Sequence, residues 1–155
     1  MRWEQGRAVI DDMLKTDELQ LVPASRERAD QLLRQAETHL ATARGAVDQD
    51  PEGAYTLAYD AARKALVALL ENEGLRPTSR AGHHGTYLAV RAQLDPPLGQ
   101  ALRPFERMRR RRNEIEYPDF TAPPLTTTDA YEDIQAAESL LGLVKQVYNE
   151  MSPYR

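Results

Sequence analysis

The sequence predicts an all-α fold, a bundle of four to six helices with up-down packing and a short helical arm at the N-terminus. Apolar residues recur every three or four positions through several long segments, which is the period of one helix face. No segment shows the strict alternation of a half-buried strand. The length of 155 residues matches a single domain, 1–155, in which residues 1–23 form the arm and residues 24–151 the core bundle.

The first half of the chain predicts the arm and two long helices. Apolar residues between Val9 and Leu14 indicate a short helix, and the apolar residues that follow it up to Val22 are expected to lie on the core. Ser25 is a suitable N-cap for a long helix. Asp50-Pro51 then supplies a cap and a proline at the first helical position of an alanine-rich helix that runs to Gly74.

The second half predicts a loop and three further helices. The glycines and proline of residues 74–85 indicate a loop before a short helix, which Pro96-Pro97 ends. The next helix is expected from about Pro97 to Glu116, because Pro118 disfavours helical geometry at the residue before it. Asp129, with Glu132 three residues later, predicts a capping-box start for the last helix.

Composition excludes several classes of function. The chain has no cysteine, which rules out disulfides, thiolate metal sites and cysteine nucleophiles and is typical of a reducing compartment. No stretch reaches the roughly 20 apolar residues that cross a bilayer, and the N-terminus lacks the apolar run of a signal peptide. A net charge of -4 argues against polyanion binding by the chain as a whole. We therefore expect a cytoplasmic protein with no membrane contact.

The most function-like feature is the run of four arginines, Arg109 to Arg112, near the end of the fifth predicted helix. At about 100° per residue, Arg112 falls in the middle of that helix's apolar stripe. The stripe consists of Leu98, Leu102, Phe105, Met108 and Ile115. A buried arginine left unpaired costs several kcal/mol, so Arg112 requires an anion or a partner surface. Glu116, one turn later, is its first candidate partner.

The neighbouring residues divide into two groups on the same wheel. Arg109, Asn113, Glu116 and Tyr117 adjoin Arg112, whereas Arg103, Arg107 and Arg110 are expected to project toward solvent. For Arg110 and Arg111, solvation at the helix C-terminus is the alternative to a role in binding phosphate. For Arg112, the alternatives are a structural salt bridge and a functional or interface role.

Three features occur in order along the chain: the small-residue helix Ala54–Gly74, a histidine after the loop that follows it, and Arg-Asn-x-x-x-Tyr at Arg112, Asn113 and Tyr117. In this order they resemble the HEPN superfamily, and the resemblance covers roughly residues 25–150. It implies an HEPN-like bundle that forms a homodimer, with members that act as metal-independent ribonucleases. Many are toxins paired with a nucleotidyltransferase antitoxin. Within the superfamily, the chain looks most like a small actinobacterial-type group whose motif ends in Glu-Tyr-Pro.

Carrying the family motif over makes Arg112 the phosphate-stabilising arginine and Asn113 its polar neighbour. The arginines that precede the motif, Arg109, Arg110 and Arg111, are candidates for further contacts with RNA phosphates. Tyr117 stands where the motif has a histidine. At a reference pKa near 10, about one tyrosine in a thousand is ionised at pH 7, so Tyr117 is a poor base although it can donate a proton. Its hydroxyl could also accept a nucleotidyl group from an antitoxin.

His83, His84 and Glu116 are the accessory candidates. No spacing in the sequence is typical of a metal site, and no nucleotide-cofactor motif is present, so we expect neither a metal nor a cofactor. Three functions remain open: a toxin that acts on RNA, a non-catalytic module that binds RNA, a nucleotide or a protein, and a purely architectural Arg112.

Overall fold

The computed structural model describes residues 4–117, 121 and 123–154, and confirms the all-α helical bundle. Six helices and two very short strands follow one another in the described part of the chain. They are α1 Arg7–Lys15, β1 Leu19–Leu21, α2 Arg26–Ala46, α3 Pro51–Glu73, β2 Leu75–Pro77, α4 Gly82–Leu94, α5 Gly99–Glu116 and α6 Thr127–Val147. None of the described helices is long and apolar enough to cross a membrane.

Helix α3 lies at the centre of the bundle and packs against α2, α4, α5 and α6. Its alanines let the neighbouring helices approach closely, and Tyr55 and Tyr59 fill the space that is left; both are 0% to 1% exposed. The predicted start is confirmed, because the Asp50 side chain accepts a hydrogen bond from Gly53 N–H at 2.9 Å. Gly74 ends the helix in the left-handed conformation at φ 85°.

The other helix starts also follow from local chemistry. Ser25 caps α2 as predicted, with its hydroxyl accepting from Arg28 N–H at 3.0 Å. The predicted start of the last helix is wrong by one turn. Thr126 is the N-cap, and Asp129 is the third helical residue of a capping box instead of the cap itself. The run of threonines before Asp129 offered several equivalent caps, and the sequence pattern did not separate them.

The prediction that no strand is present is wrong at one place. β1 and β2 pair antiparallel, with Leu19 opposite Pro77 and Leu21 opposite Leu75. Three-residue strands are too short to show an alternating pattern. This small sheet joins the N-terminal arm to the segment that follows α3, and α1 packs against α4. The arm is thereby held by backbone hydrogen bonds as well as by its apolar residues.

Candidate functional site

Arg112 lies on the core-facing side of α5, as the helical wheel predicts, but at the open edge of the core. Its side chain is 27% exposed, and its Nη2 and Nη1 atoms contact the two carboxylate oxygens of Glu116 at 2.7 and 3.1 Å. The predicted pairing with Glu116 is confirmed. The guanidinium carbon lies 5.5 Å from the centre of the Tyr59 ring, so Arg112 makes a cation–π contact with an aromatic residue of α3.

Tyr59 joins Arg112 to a histidine from a third helix. The Tyr59 hydroxyl lies 2.8 Å from Nδ1 of His83, which is in the first turn of α4. The Tyr59 ring is fixed by stacking on Phe105 of α5, with ring centres 5.3 Å apart. Burial raises the pKa of Tyr59 well above its usual value, so its hydroxyl stays protonated at neutral pH. The contact brings the accessory candidate His83 into the Arg112 site.

The electrostatic surroundings of His83 favour the neutral imidazole. Burial lowers the pKa of His83, and the positive charges of Arg63 and Arg112 lower it further. The carboxylates of Asp60 and Glu116 oppose the shift only in part. His83 therefore lies in the field of two arginines, one on α3 and one on α5, and is mostly unprotonated at pH 7.

Asp60 organises the charges on the α3 side of the site. Its Oδ1 accepts from Arg63 at 2.8 Å, and its Oδ2 lies 3.3 Å from both Lys64 Nζ and His39 Nε2. Burial alone would raise the pKa of Asp60, but the hydrogen bond and charge of Arg63 outweigh it and lower the value. Among the residues that the structure describes, no group of three or more histidine and carboxylate side chains could hold a metal ion.

His84, the second accessory candidate, belongs to a separate cluster on the flank of α5. Its Nδ1 lies 3.1 Å from Oε1 of Glu106, and Arg109 Nε donates to the same oxygen at 3.0 Å. Burial would raise the pKa of Glu106, but the hydrogen bonds from Arg109 and His84 together lower it. Arg109 is therefore held by a carboxylate beside the site, and the two adjacent histidines take different partners.

Arg107 and Arg111 have a structural contact that the wheel did not predict. Both bind Asp133 of α6 at 2.6 Å, one to each carboxylate oxygen, and Asp133 is fully buried. Arg107 is 50% exposed, in agreement with the expectation that it projects toward solvent, but its guanidinium is also paired, because a buried aspartate must be paired and α6 presents it to α5. Arg110, by contrast, is exposed as expected.

Asn113 and Tyr117 lie at the end of α5 with exposed side chains, Tyr117 at 78%. In the described structure no hydrogen bond joins either side chain to Arg112 or His83. Sequence reasoning missed the α3 contribution of Tyr59, Asp60 and Arg63. The available signal was a group of polar and aromatic residues within an otherwise alanine-rich helix.

Comparison with known proteins agrees with this architecture. No curated protein and no solved structure matches the chain. The sequence-family model of the HEPN domain matches residues 29–149. This range is well over half of the chain and includes every residue of the Arg112 site. The chain belongs to the HEPN family.

Proposed function

We propose that this protein acts on RNA as a toxin-like HEPN protein, with Arg112 holding a phosphodiester and Asn113 beside it. The observation that carries the proposal is the state of Arg112, whose guanidinium is partly exposed and whose one ion pair within the described residues is with Glu116, a carboxylate that is itself 42% exposed. A guanidinium fork matches the paired oxygens of a phosphate. An exposed ion pair is worth about 0 to 1 kcal/mol, so a phosphate can displace Glu116 at little cost.

The purely architectural interpretation of Arg112 is disfavoured by comparison with two carboxylates that are buried in the bundle. Asp133 joins α5 to α6 and is 0% exposed, and Glu71 binds Arg28 and Arg76 and is 1% exposed. These two carboxylates are buried where they hold elements together. Glu116 lies one turn from Arg112 on the same helix, so its ion pair connects no two parts of the fold.

The charges around Arg112 also suit an anionic ligand. Arg63 approaches from α3 and Arg109 from the flank of α5, and each is paired with a carboxylate no further away than one helical turn. A neutral His83 adds an uncharged ring nitrogen in the field of Arg63 and Arg112. Such a site binds phosphate oxygens by charge and by directed hydrogen bonds, and it requires no metal to do so.

The proposal includes a homodimer in the cytoplasm that places two Arg112 sites opposite each other, and a nucleotidyltransferase antitoxin as partner. Tyr117 fits the acceptor role in such a pair. Its hydroxyl follows the end of α5 on a side chain that is 78% exposed, so a modifying enzyme can reach it without unfolding the helix. A nucleotidyl group there would add negative charge close to Arg112 and Glu116 and would repel an RNA phosphate.

Purified protein incubated with total RNA in the presence of a chelator tests the proposal. The wild-type protein should fragment RNA, and Arg112→Ala should abolish the fragmentation. Arg103→Ala is the matched control, because Arg103 is an exposed arginine on the opposite face of the same helix. RNA profiles that are identical with and without the wild-type protein would refute the toxin-like activity.

A non-catalytic module that binds RNA, a nucleotide or a protein partner is the second candidate. It is favoured by Tyr117, which occupies the motif position of a histidine and is exposed. If this candidate is correct, short RNA binds without being cut and its affinity falls steeply with salt, with a slope that reports the number of neutralised phosphates. Binding that is independent of salt would argue against phosphate recognition in either candidate.

A further inference from the structure

We infer that His83, positioned by Tyr59, is the general base of the Arg112 site and takes the proton of the RNA 2′-hydroxyl. This inference rests on the proposed function and adds a residue from a different helix to it. The geometry that carries it is the chain of contacts from α5 through α3 to α4. Arg112 lies over the Tyr59 ring, and the Tyr59 hydroxyl meets His83 Nδ1 at 2.8 Å.

The contact with Tyr59 determines which nitrogen of His83 can act. Nδ1 is occupied by the hydroxyl, so Nε2 is the nitrogen that can meet a ligand. A hydroxyl can accept as well as donate a hydrogen bond. When Tyr59 accepts from Nδ1–H, Nε2 carries a lone pair and can take a proton. After it has done so, both ring nitrogens are donors and the same hydroxyl continues to accept from Nδ1.

The reaction then balances as a transesterification. Nε2 takes the 2′-hydroxyl proton as the 2′-oxygen forms a bond to phosphorus, and the bond from phosphorus to the 5′-oxygen breaks. The leaving 5′-oxygen keeps the electron pair and takes a proton from water, and the resulting hydroxide is neutralised by the imidazolium. The products are a 2′,3′-cyclic phosphate and a 5′-hydroxyl. Arg112 holds the phosphate oxygens on which negative charge accumulates.

The groups that face His83 keep it in the form that this role needs. Arg63 from α3 and Arg112 from α5 disfavour its protonation, and Asp60 and Glu116 from the same two helices oppose them. His84 on its own helix is bonded to Glu106. Burial and the two arginines together outweigh the carboxylates and lower the pKa of His83 below its usual 6.5, so the imidazole is mostly unprotonated at neutral pH and can act as a base.

The test measures cleavage and binding of a short RNA by wild-type protein and variants. His83→Asn should lower kcat by about 10²- to 10⁴-fold, the usual contribution of a general base, and leave the Kd for RNA unchanged. Tyr59→Phe, which keeps the ring against Phe105 and removes the hydroxyl, should lower kcat to a smaller extent. Arg103→Ala, on the opposite face of α5, is again the control and should cleave as the wild type does.

The pH profile separates a base from a merely structural histidine. For the wild type, kcat/KM should rise with pH through the pKa of His83, below its usual 6.5, and then level off. Arg63→Gln removes one of the charges that lower this pKa, so the rising limb should move to higher pH. Cleavage that needs Arg112 but is unaffected by His83→Asn, or a limb that Arg63→Gln leaves in place, overturns the assignment and leaves the proposed function standing. Absence of cleavage by the wild type overturns both.

Discussion

Replacing Asp133 by asparagine should destabilise the bundle, because the carboxylate is fully buried and receives a 2.6 Å bond from each of Arg107 and Arg111. A hydrogen bond to a charged group contributes about 1.5–3 kcal/mol, which sets an upper limit of about 6 kcal/mol for the two. The side chains of Arg107 and Arg111 are 50% and 25% exposed, so water recovers part of that loss, and asparagine keeps one acceptor. The expected cost is about 2–3 kcal/mol.

Urea unfolding followed by far-UV circular dichroism measures this free energy directly, and thermal unfolding should show a midpoint lower by about 4 to 12 °C. The matched control is Glu138→Gln, also on α6, whose exposed pair with Arg44 should contribute no more than about 0.5 kcal/mol. If Asp133→Asn and Glu138→Gln lose the same stability, the buried carboxylate does not hold α5 to α6. Burial would then not distinguish a structural carboxylate from an exposed one in this bundle.

Three further perturbations test separate parts of the structure. Burial raises the pKa of Glu73 well above its usual 4.5, so the folded state retains a proton that the unfolded chain releases. Stability should therefore fall as pH rises from about 4.5 through the folded pKa, by up to about 1.4 kcal/mol per pH unit, and Glu73→Gln should remove this dependence in urea titrations. Glu116→Gln should lower the Kd for a short RNA, measured by calorimetry at low salt, because it removes the counter-ion of Arg112. An unchanged or higher Kd would show that Glu116 does not compete with phosphate. Gly74→Ala should lower the free energy of unfolding by about 1–3 kcal/mol, because the residue has φ +85° and a Cβ would lie 2.8 Å from the Val22 carbonyl oxygen. The control Gly142→Ala, in open space on α6, should leave the free energy of unfolding unchanged or raise it.

The parts of the fold that the sequence predicts well depend on residues close together in the chain. Ser25 and Asp50 cap their helices through hydrogen bonds to residues three positions later. Gly74 ends α3 because it alone tolerates the left-handed conformation without strain. The pairing of Arg112 with Glu116 has the same local character, since the two residues are one helical turn apart.

The parts that were missed depend on contacts between distant segments. β1 and β2 each have three residues, and their pairing across more than fifty residues leaves no periodic signal. His83 and Arg112 are linked because both contact Tyr59, which lies on a third helix. Asp133 was detectable, however. It follows Ala130 by three residues and precedes Ala137 by four, so the wheel argument that singled out Arg112 on α5 also places a charged residue inside the apolar stripe of α6.

Four consecutive arginines have four different environments, and the rotation of the helix explains the difference. Each step of about 100° turns the next side chain toward a new neighbour. Arg109 meets Glu106 on its own helix, Arg110 is exposed, Arg111 meets the buried Asp133, and Arg112 lies over Tyr59. The run therefore does not act as one basic patch, and counting its charges overestimates what is available to a polyanion. Of the four, Arg112 combines a partly exposed guanidinium, an exposed counter-ion and a histidine that shares Tyr59 with it, and we propose that this local chemistry selects its ligand more than net charge does.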